Sequence, residues 1–181
     1  MAAPLILVDE QNRALGTATR EQAHTSPGKL HRAFSVYVFR SGGTEMLIQK
    51  RHPHKLWGGI WANSCCSHPR EGEEIAEVAH RRLKEELGFV CTLLPSGSFV
   101  YRAEDPAGKG AEYEHVTIFR GDVPTNVSVQ PDPTEIAEWK WIAIDQLVKD
   151  MKTHSDFYAP WFHIGLEKLR ISELTSKRVN V

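Results

Sequence analysis

An α+β domain, a mixed β-sheet sandwich flanked by helices, is the fold this sequence predicts. Three observations lead there. Short runs rich in β-branched and aromatic residues recur along the chain, only three segments carry a sustained helical period, and the two kinds do not alternate strictly. At 181 residues, 41% hydrophobic and 25% charged, the chain suits one domain, residues 1–181, with enough apolar surface for a real core.

The elements follow in order. Leu5–Val8 is an apolar strand, turned by Asp9-Glu-Gln-Asn-Arg13 into a second near Leu15–Ala18, and Arg20–Ala23 offers one helical turn. Phe34–Phe39 reads as a strand, and Ser41-Gly42-Gly43 folds it back on Met46–Gln49 as a hairpin. His52-Pro53-His54 and Gly58-Gly59 break the chain into loop. From Glu73 to Leu87, Ile75, Ala79, Leu83 and Leu87 recur every four residues, acids fill the first turn and Gly88 is placed to cap the end, so this is the clearest helix. Phe99–Tyr101 and Tyr113–Phe119 read as strands around an Asp105-Pro-Ala-Gly108 turn, and Trp139–Ile142 as another. Ile144–Met151 is a short amphipathic helix, and Pro160 opens a last helix through about Leu174. The end, Lys177–Val181, is expected to fray.

Composition excludes several classes of function. The net charge is −1 with no long run of one sign, and the five Trp are not interleaved with basic residues, so neither a nucleic-acid surface nor a polybasic membrane patch is indicated. The apolar run in Met1–Val8 is too short for a signal peptide or a membrane span. Three cysteines, two of them adjacent, make a poor disulfide framework and point to a reduced, cytoplasmic home.

The segment Ser64-Cys65-Cys66-Ser67-His68-Pro69 carries the most chemistry. If extended, it sends Cys66 and His68 to one face and Cys65 to the other. His24 and His31 flank a Thr-Ser-Pro-Gly turn, and Glu112 and Glu114 share a face if their run is a strand. Three imidazoles and two carboxylates suit a borderline-to-hard divalent ion of high coordination number. Taken singly, each residue has a plainer reading. Cys66 alone is a small core residue, each His alone a hydrogen-bonded or surface side chain, Glu86 an exposed helix carboxylate, and Trp161 a core aromatic, as are Trp57, Trp61, Trp139 and Trp141 in the core or pocket wall.

Together the residues reverse that judgement. His24-Thr25 with Leu30–Ser35, Trp61–Pro69, Arg81–Gly88, Tyr101–Gly108, Glu112-Tyr-Glu114 and Pro160-Trp161 resemble type I isopentenyl-diphosphate isomerases, a branch of the Nudix superfamily. The likeness runs from Leu15 to about Leu169, and six motifs in order are far more specific than any one. Without a long N-terminal extension the chain looks like the shorter, bacterial form. The Nudix box departs from its usual pattern: Ser67 stands where a Gly is expected and Arg82 where a metal-binding Glu is expected, while Glu73, Arg81, Glu85, Glu86 and Gly88 remain. The family's Trp-Pro-Gly is Trp57-Gly58-Gly59, and the loop from Arg51 to Trp57 looks one residue short.

The resemblance implies a Nudix-like sandwich and a 1,3 proton shift between isopentenyl and dimethylallyl diphosphate through a tertiary carbocation. It makes Cys66 and Glu114 the two proton-transfer groups, with Tyr101 as relay and Trp161 as cation stabiliser. It makes His24, His31, His68, Glu112 and Glu114 ligands of one firmly held ion, Mn²⁺, Zn²⁺ or Mg²⁺. Glu86, with the backbone carbonyl of Cys66, would bind a Mg²⁺ that arrives with the diphosphate, and Arg20, Arg51, Lys55 and Arg82 would clamp that diphosphate. The expected partner is the small isoprenyl diphosphate, with no nucleic acid and no membrane, on a monomer. Two rivals are a Nudix pyrophosphohydrolase, against which Arg82 and Cys66 speak, and a silent binding module, against which the intact set of proposed catalytic positions speaks.

Overall fold

A computed structural model describes residues 3–170. Its elements are β1 (Leu5–Val8), β2 (Ala14–Ala18), α1 (Arg20–His24), β3 (His31–Arg40), β4 (Glu45–Arg51), β5 (Trp61–Ala62), β6 (Cys65–Ser67), α2 (Ile75–Leu87), β7 (Leu93–Glu104), β8 (Ala111–Asp122), β9 (Ile136–Ala143), α3 (Ile144–Thr153) and α4 (Pro160–Lys168). The last helix closes at Lys168, short of the expected Leu174; Lys177–Val181 lie outside the described residues.

The sheet is organised by β3. Along one edge β8 runs parallel to it, from His31↔Glu114 to Phe39↔Asp122. The other edge is shared in turn by three antiparallel strands: β1 at His31, β6 at Phe34 to Val36, and β4 at Phe39 and Arg40. The expected β3–β4 hairpin therefore pairs only beside its turn. Residues of β4 are apolar on both faces, and the strand peels away to pair with β9 along its length. Two strands are longer than their sequence signals. In β7, a register shift between Pro95 and Ser98 lets the strand begin at Leu93 and pair with β8 on both sides of the shift.

Period-two alternation along β3 builds two cores. Phe34, Val36 and Val38 pack with Cys65 and with Val78, Ala79, Leu83 and Leu87 of α2. Ala33, Tyr37 and Phe39 pack on the opposite face with Met46, Ile48, Leu147 and Phe162, beneath α3 and α4. Truncating Leu83 or Leu87, both fully buried, to Ala would cost roughly 2–5 kcal/mol.

Helix α2 starts at Ile75 rather than Glu73. The Glu73 carboxylate instead accepts the Arg70 backbone N–H (2.8 Å) and an Arg81 N–H (3.0 Å), which holds it in the preceding turn. Gly88 ends the helix at φ 78°, the left-handed cap that disfavours a side chain. Close approach governs α4: a Cβ on Gly165 would lie 1.8 Å from the Tyr37 hydroxyl. Only glycine lets this helix settle on β3 and present Trp161 at its start. The other tryptophans divide: Trp57 is buried, whereas Trp139 is exposed, and Trp61 and Trp141 are half-buried with Lys140 and Arg40 stacked 4.4 Å above their rings. The expectation that all five lie in the core or pocket wall holds except for Trp139, since Trp61 and Trp141 still pack against the two cores.

Candidate active site

Short local structures bring distant side chains together. In α1, Thr19 caps the helix reciprocally with Gln22: its hydroxyl accepts the Gln22 N–H and its own N–H donates to Oε1, each at 3.1 Å. This fixes Arg20 and His24. His24 Nδ1–H then donates to the Arg20 carbonyl at 2.7 Å, and His31 Nδ1–H donates to the Lys29 carbonyl at 2.7 Å. A carbonyl only accepts, so both rings are locked in the tautomer that leaves Nε2 as a lone pair. His68, just past β6, brings its Nε2 to 3.2 Å from His31 Nε2 and 2.8 Å from Glu114 Oε1.

These three nitrogens and one oxygen each from Glu112 and Glu114 lie within 4.8 Å of one another. His24 Nε2 and Glu112 Oε2 are 3.0 Å apart, yet neither is hydrogen-bonded and both are buried. A lone pair aimed at a carboxylate oxygen is unfavourable unless a cation lies between. Burial drives His68 down to about 3, against the pull of Glu114, so its ring is neutral and able to ligate. Burial and the Glu114 charge raise Glu112, whereas burial would raise Glu114 but the two imidazoles beside it, His31 and His68, outweigh that and hold it well below the carboxylate range. The donor set fits one divalent ion.

Beside the cluster opens a cavity of about 440 Å³, inside the range of small-molecule sites. Cys66, His68, Tyr101, Glu112, Glu114 and Trp161 line it, and so do four cationic side chains, Arg20, Arg51, Lys55 and Arg82. Cys66 on β6 and Glu114 on β8 flank β3 from its two edges. Tyr101 stands opposite Glu114 in the β7–β8 register and donates its O–H to Glu114 Oε2 at 2.9 Å. Burial raises the Cys66 thiol to about 11, against hydrogen bonding to Ser35, so it carries its proton at neutral pH. Cys65 points away into the α2 core.

Among the cations, the Arg51 Nε–H donates to the Leu56 carbonyl (2.8 Å) and its guanidinium lies 5.1 Å from the Trp161 ring centre. Burial, with Arg51, Arg20 and Arg82 nearby, lowers Lys55 to about 8 against the pull of Glu86. The shortened loop still delivers Lys55 to the cavity. Asp105 accepts the Trp57 N–H (2.7 Å) and Lys109 donates to the Pro53 carbonyl (2.6 Å), so the β7–β8 turn clasps that loop.

Of the expected residues, Glu86 stands apart. It is buried rather than exposed, outside both the ligand cluster and the cavity lining, 2.5 Å from Arg82 Nη2. His52, His80, His154 and His163, left without a role, are also outside the cluster, and His115 alternates to the face away from Glu114. Three participants went unread. Glu135 lines the cavity and pairs with both Lys55 and Arg82, from a Pro-Asp-Pro-Thr-Glu loop with no telling spacing. Asn63 and Ser35 contact Cys66; both lie inside the quoted motifs, where their polarity beside apolar neighbours was the available signal.

Comparison with known proteins agrees with this geometry. Residues 29–162 match the NUDIX domain family. An isopentenyl-diphosphate Delta-isomerase of Halorhodospira halophila is 42% identical over 93% of this chain and 96% of its own, and one of Burkholderia multivorans is 40% identical over 91% of each. Among solved structures, DR0079 from Deinococcus radiodurans superposes with TM-score 0.66 at 18% identity, covering 83% of this chain and 89% of that one. A MutT protein from Methanosarcina mazei Go1 gives 0.63 at 14%, covering 80% and 95%; at such identities these share the fold alone. The chain belongs to the NUDIX domain family and, within it, to the isopentenyl-diphosphate Delta-isomerases.

Proposed function

We infer that this chain interconverts isopentenyl and dimethylallyl diphosphate in isoprenoid biosynthesis, as one isomerase domain acting as a cytoplasmic monomer. Among the described residues no helix is long and apolar enough to cross a membrane. The observation that carries the reading is one cavity lined by a thiol and a tyrosine-linked carboxylate from opposite edges of β3, by an indole and by four cationic side chains.

Arg20, Arg51, Lys55 and Arg82 bind the diphosphate and turn the C5 chain toward Cys66 and Glu114. Glu135 releases Lys55 and Arg82 to the substrate. Cys66 and Glu114 share one exchangeable proton, which sits on the thiol at rest. For turnover it stands on the Glu114–Tyr101 side: the Tyr101 O–H protonates the terminal alkene carbon while Glu114 refills Tyr101. The thiolate takes the allylic proton on the other face, so thiol and carboxylate are restored. The Trp161 π-face stabilises the tertiary cation between these steps, and the buried wall keeps water from capturing it. His24, His31, His68, Glu112 and Glu114 would hold a divalent ion, Mn²⁺, Zn²⁺ or Mg²⁺, that orients Glu114 and sharpens its acidity. Glu86 and the Cys66 carbonyl would meet a Mg²⁺ brought by the diphosphate once Arg82 swings to the phosphates.

Arg82 argues against pyrophosphate hydrolysis, because a guanidinium stands where the hydrolytic ion cluster needs a carboxylate. Incubation with isopentenyl diphosphate in heavy water tests the assignment. Deuterium enters substrate and product if the reading holds; release of a monophosphate, or recovery of unlabelled substrate, would refute it.

A further inference from the structure

Asn63 is fully buried in the two-residue link between β5 and β6, and its amide makes four hydrogen bonds. Its Nδ2 donates to the carbonyls of Val36 and Cys65, each at 3.0 Å. Its Oδ1 accepts from the Cys66 S–H and from the Trp161 indole N–H, each at 3.1 Å. An indole N–H only donates and the two carbonyls only accept, so the amide cannot flip without losing three bonds. The neighbouring Ser64, also fully buried, accepts the Val38 N–H (2.9 Å) and donates to the Leu47 carbonyl (2.7 Å), which fastens the link to β3 and β4.

We propose that Asn63 is a positioning residue that ties the thiol of Cys66 and the indole of Trp161 into one rigid unit through a single shared oxygen. The two groups come from separate elements; the backbone around them is also joined, the Ala159 N–H donating to the Trp61 carbonyl at 2.9 Å, but Asn63 is what joins the two side chains among the described residues. With the S–H aimed at Oδ1 and Ser35 Oγ at 3.3 Å on the sulfur, the thiol has one orientation left. The sulfur is thereby held at one place in the cavity wall, and once its proton has moved to the Glu114–Tyr101 side the thiolate meets the allylic proton from that fixed place. The indole is held in the same frame, so its π-face and the sulfur keep a fixed spacing. A residue serving only to fasten a loop would bond backbone alone. Here half of the amide's bonding goes to the two side chains on which the reaction depends.

This inference rests on the proposed roles of Cys66 and Trp161, and its test separates the two. Asn63→Ala should lower kcat on the order of a hundredfold, the scale of ångström misplacement, while KM changes far less because Arg20, Lys55 and Arg82 keep their places and only Arg51 leans on the Trp161 ring. Trp161→Phe removes the indole N–H but keeps a ring, so it breaks the same link. Its loss and that of Asn63→Ala should combine to much less than their product. The infrared S–H band of Cys66, identified by its absence in Cys66→Ala, should rise in wavenumber in Asn63→Ala. In Trp161→Phe it should fall, as Oδ1 then serves the thiol alone. This last measurement needs no Asn63 variant and holds if Asn63→Ala does not fold. A kcat within threefold of wild type, losses that multiply, or an S–H band indifferent to Trp161→Phe would each overturn the proposal. If Cys66→Ala itself keeps full activity, the catalytic reading falls instead.

Discussion

Loading the His/Glu cluster with a divalent ion should raise the melting temperature of this protein, by an amount that can be worked out. His24 and His31 are already fixed in the ligating tautomer by backbone carbonyls, and all five donor atoms lie within 4.8 Å, so binding needs little reorganisation. The unfolded chain disperses the same donors over residues 24 to 114 and binds weakly. At free metal a thousand times the Kd, linkage stabilises the fold by about 4 kcal/mol. For a chain of this length each kcal/mol moves Tm by roughly 2–4 °C, so the expected rise is about 8–16 °C. The assay is a thermal melt of chelator-treated protein titrated separately with Mn²⁺, Zn²⁺ and Mg²⁺, with bound metal counted per chain. His24→Ala, which also removes the unsatisfied His24–Glu112 contact, should melt near the chelated wild type and shift far less on titration. A Tm unmoved by every ion, or an equal shift in His24→Ala, would show that the five side chains are not a metal site.

Other predictions address individual groups. Cys66→Ala should abolish isomerisation while Cys65→Ala, which alters only the α2 core, keeps it; activity assays of the two settle the matter. Glu114→Gln should bind substrate near-normally and lose nearly all turnover, checked by substrate affinity beside kcat. Trp161 is 3% exposed, so its π-face acts desolvated: ~2 kcal/mol gives about a thirtyfold loss in kcat for Trp161→Leu, and an ammonium analogue of the cation should bind wild type tightly and this variant poorly. Lys55, lowered to about 8 by burial, is cationic below that pH and neutral above it. Substrate affinity should therefore fall as pH rises through 8, a fall that Lys55→Ala lacks.

Much of this was legible from residue patterns alone. Alternation in Phe34–Phe39 and in Cys65–Cys66 named strands and faces, because side-chain direction in a strand depends on local geometry only. Partners were less legible. Nothing in Met46–Gln49 says that β4 will leave β3 for β9, since pairing is decided by which edges remain free. The His24, His31, His68, Glu112, Glu114 set was readable because metal ligation demands particular side chains. Glu135 was not, because an acid that pairs with Lys55 and Arg82 looks like any surface Glu until the loop is placed. Trp139 failed the other way: apolar size suggested burial, but its place on β9 is exposed.

The exchange at position 82 bears on the proposed choice of isomerisation over hydrolysis. Hydrolysis needs clustered carboxylates on α2 to hold ions against the phosphates. Here Arg82 takes one of those places, pairs with Glu85, Glu86 and Glu135, and is held charged by Glu86 against the cost of burial. On the proposed reading, a cation there attracts the diphosphate without activating water beside it, while the candidate metal donors come from α1, β3, β8 and His68. The diphosphate would then be a handle, with the chemistry at Cys66 and Glu114. Arg82→Glu probes this division directly. It adds a carboxylate beside Glu85, Glu86 and Glu135, so KM for the diphosphate should rise steeply, while the His/Glu cluster, to which Arg82 contributes no donor, should still bind its ion and raise Tm. Loss of the metal-dependent Tm shift in a folded Arg82→Glu protein would mean that the cluster and Arg82 are one electrostatic unit.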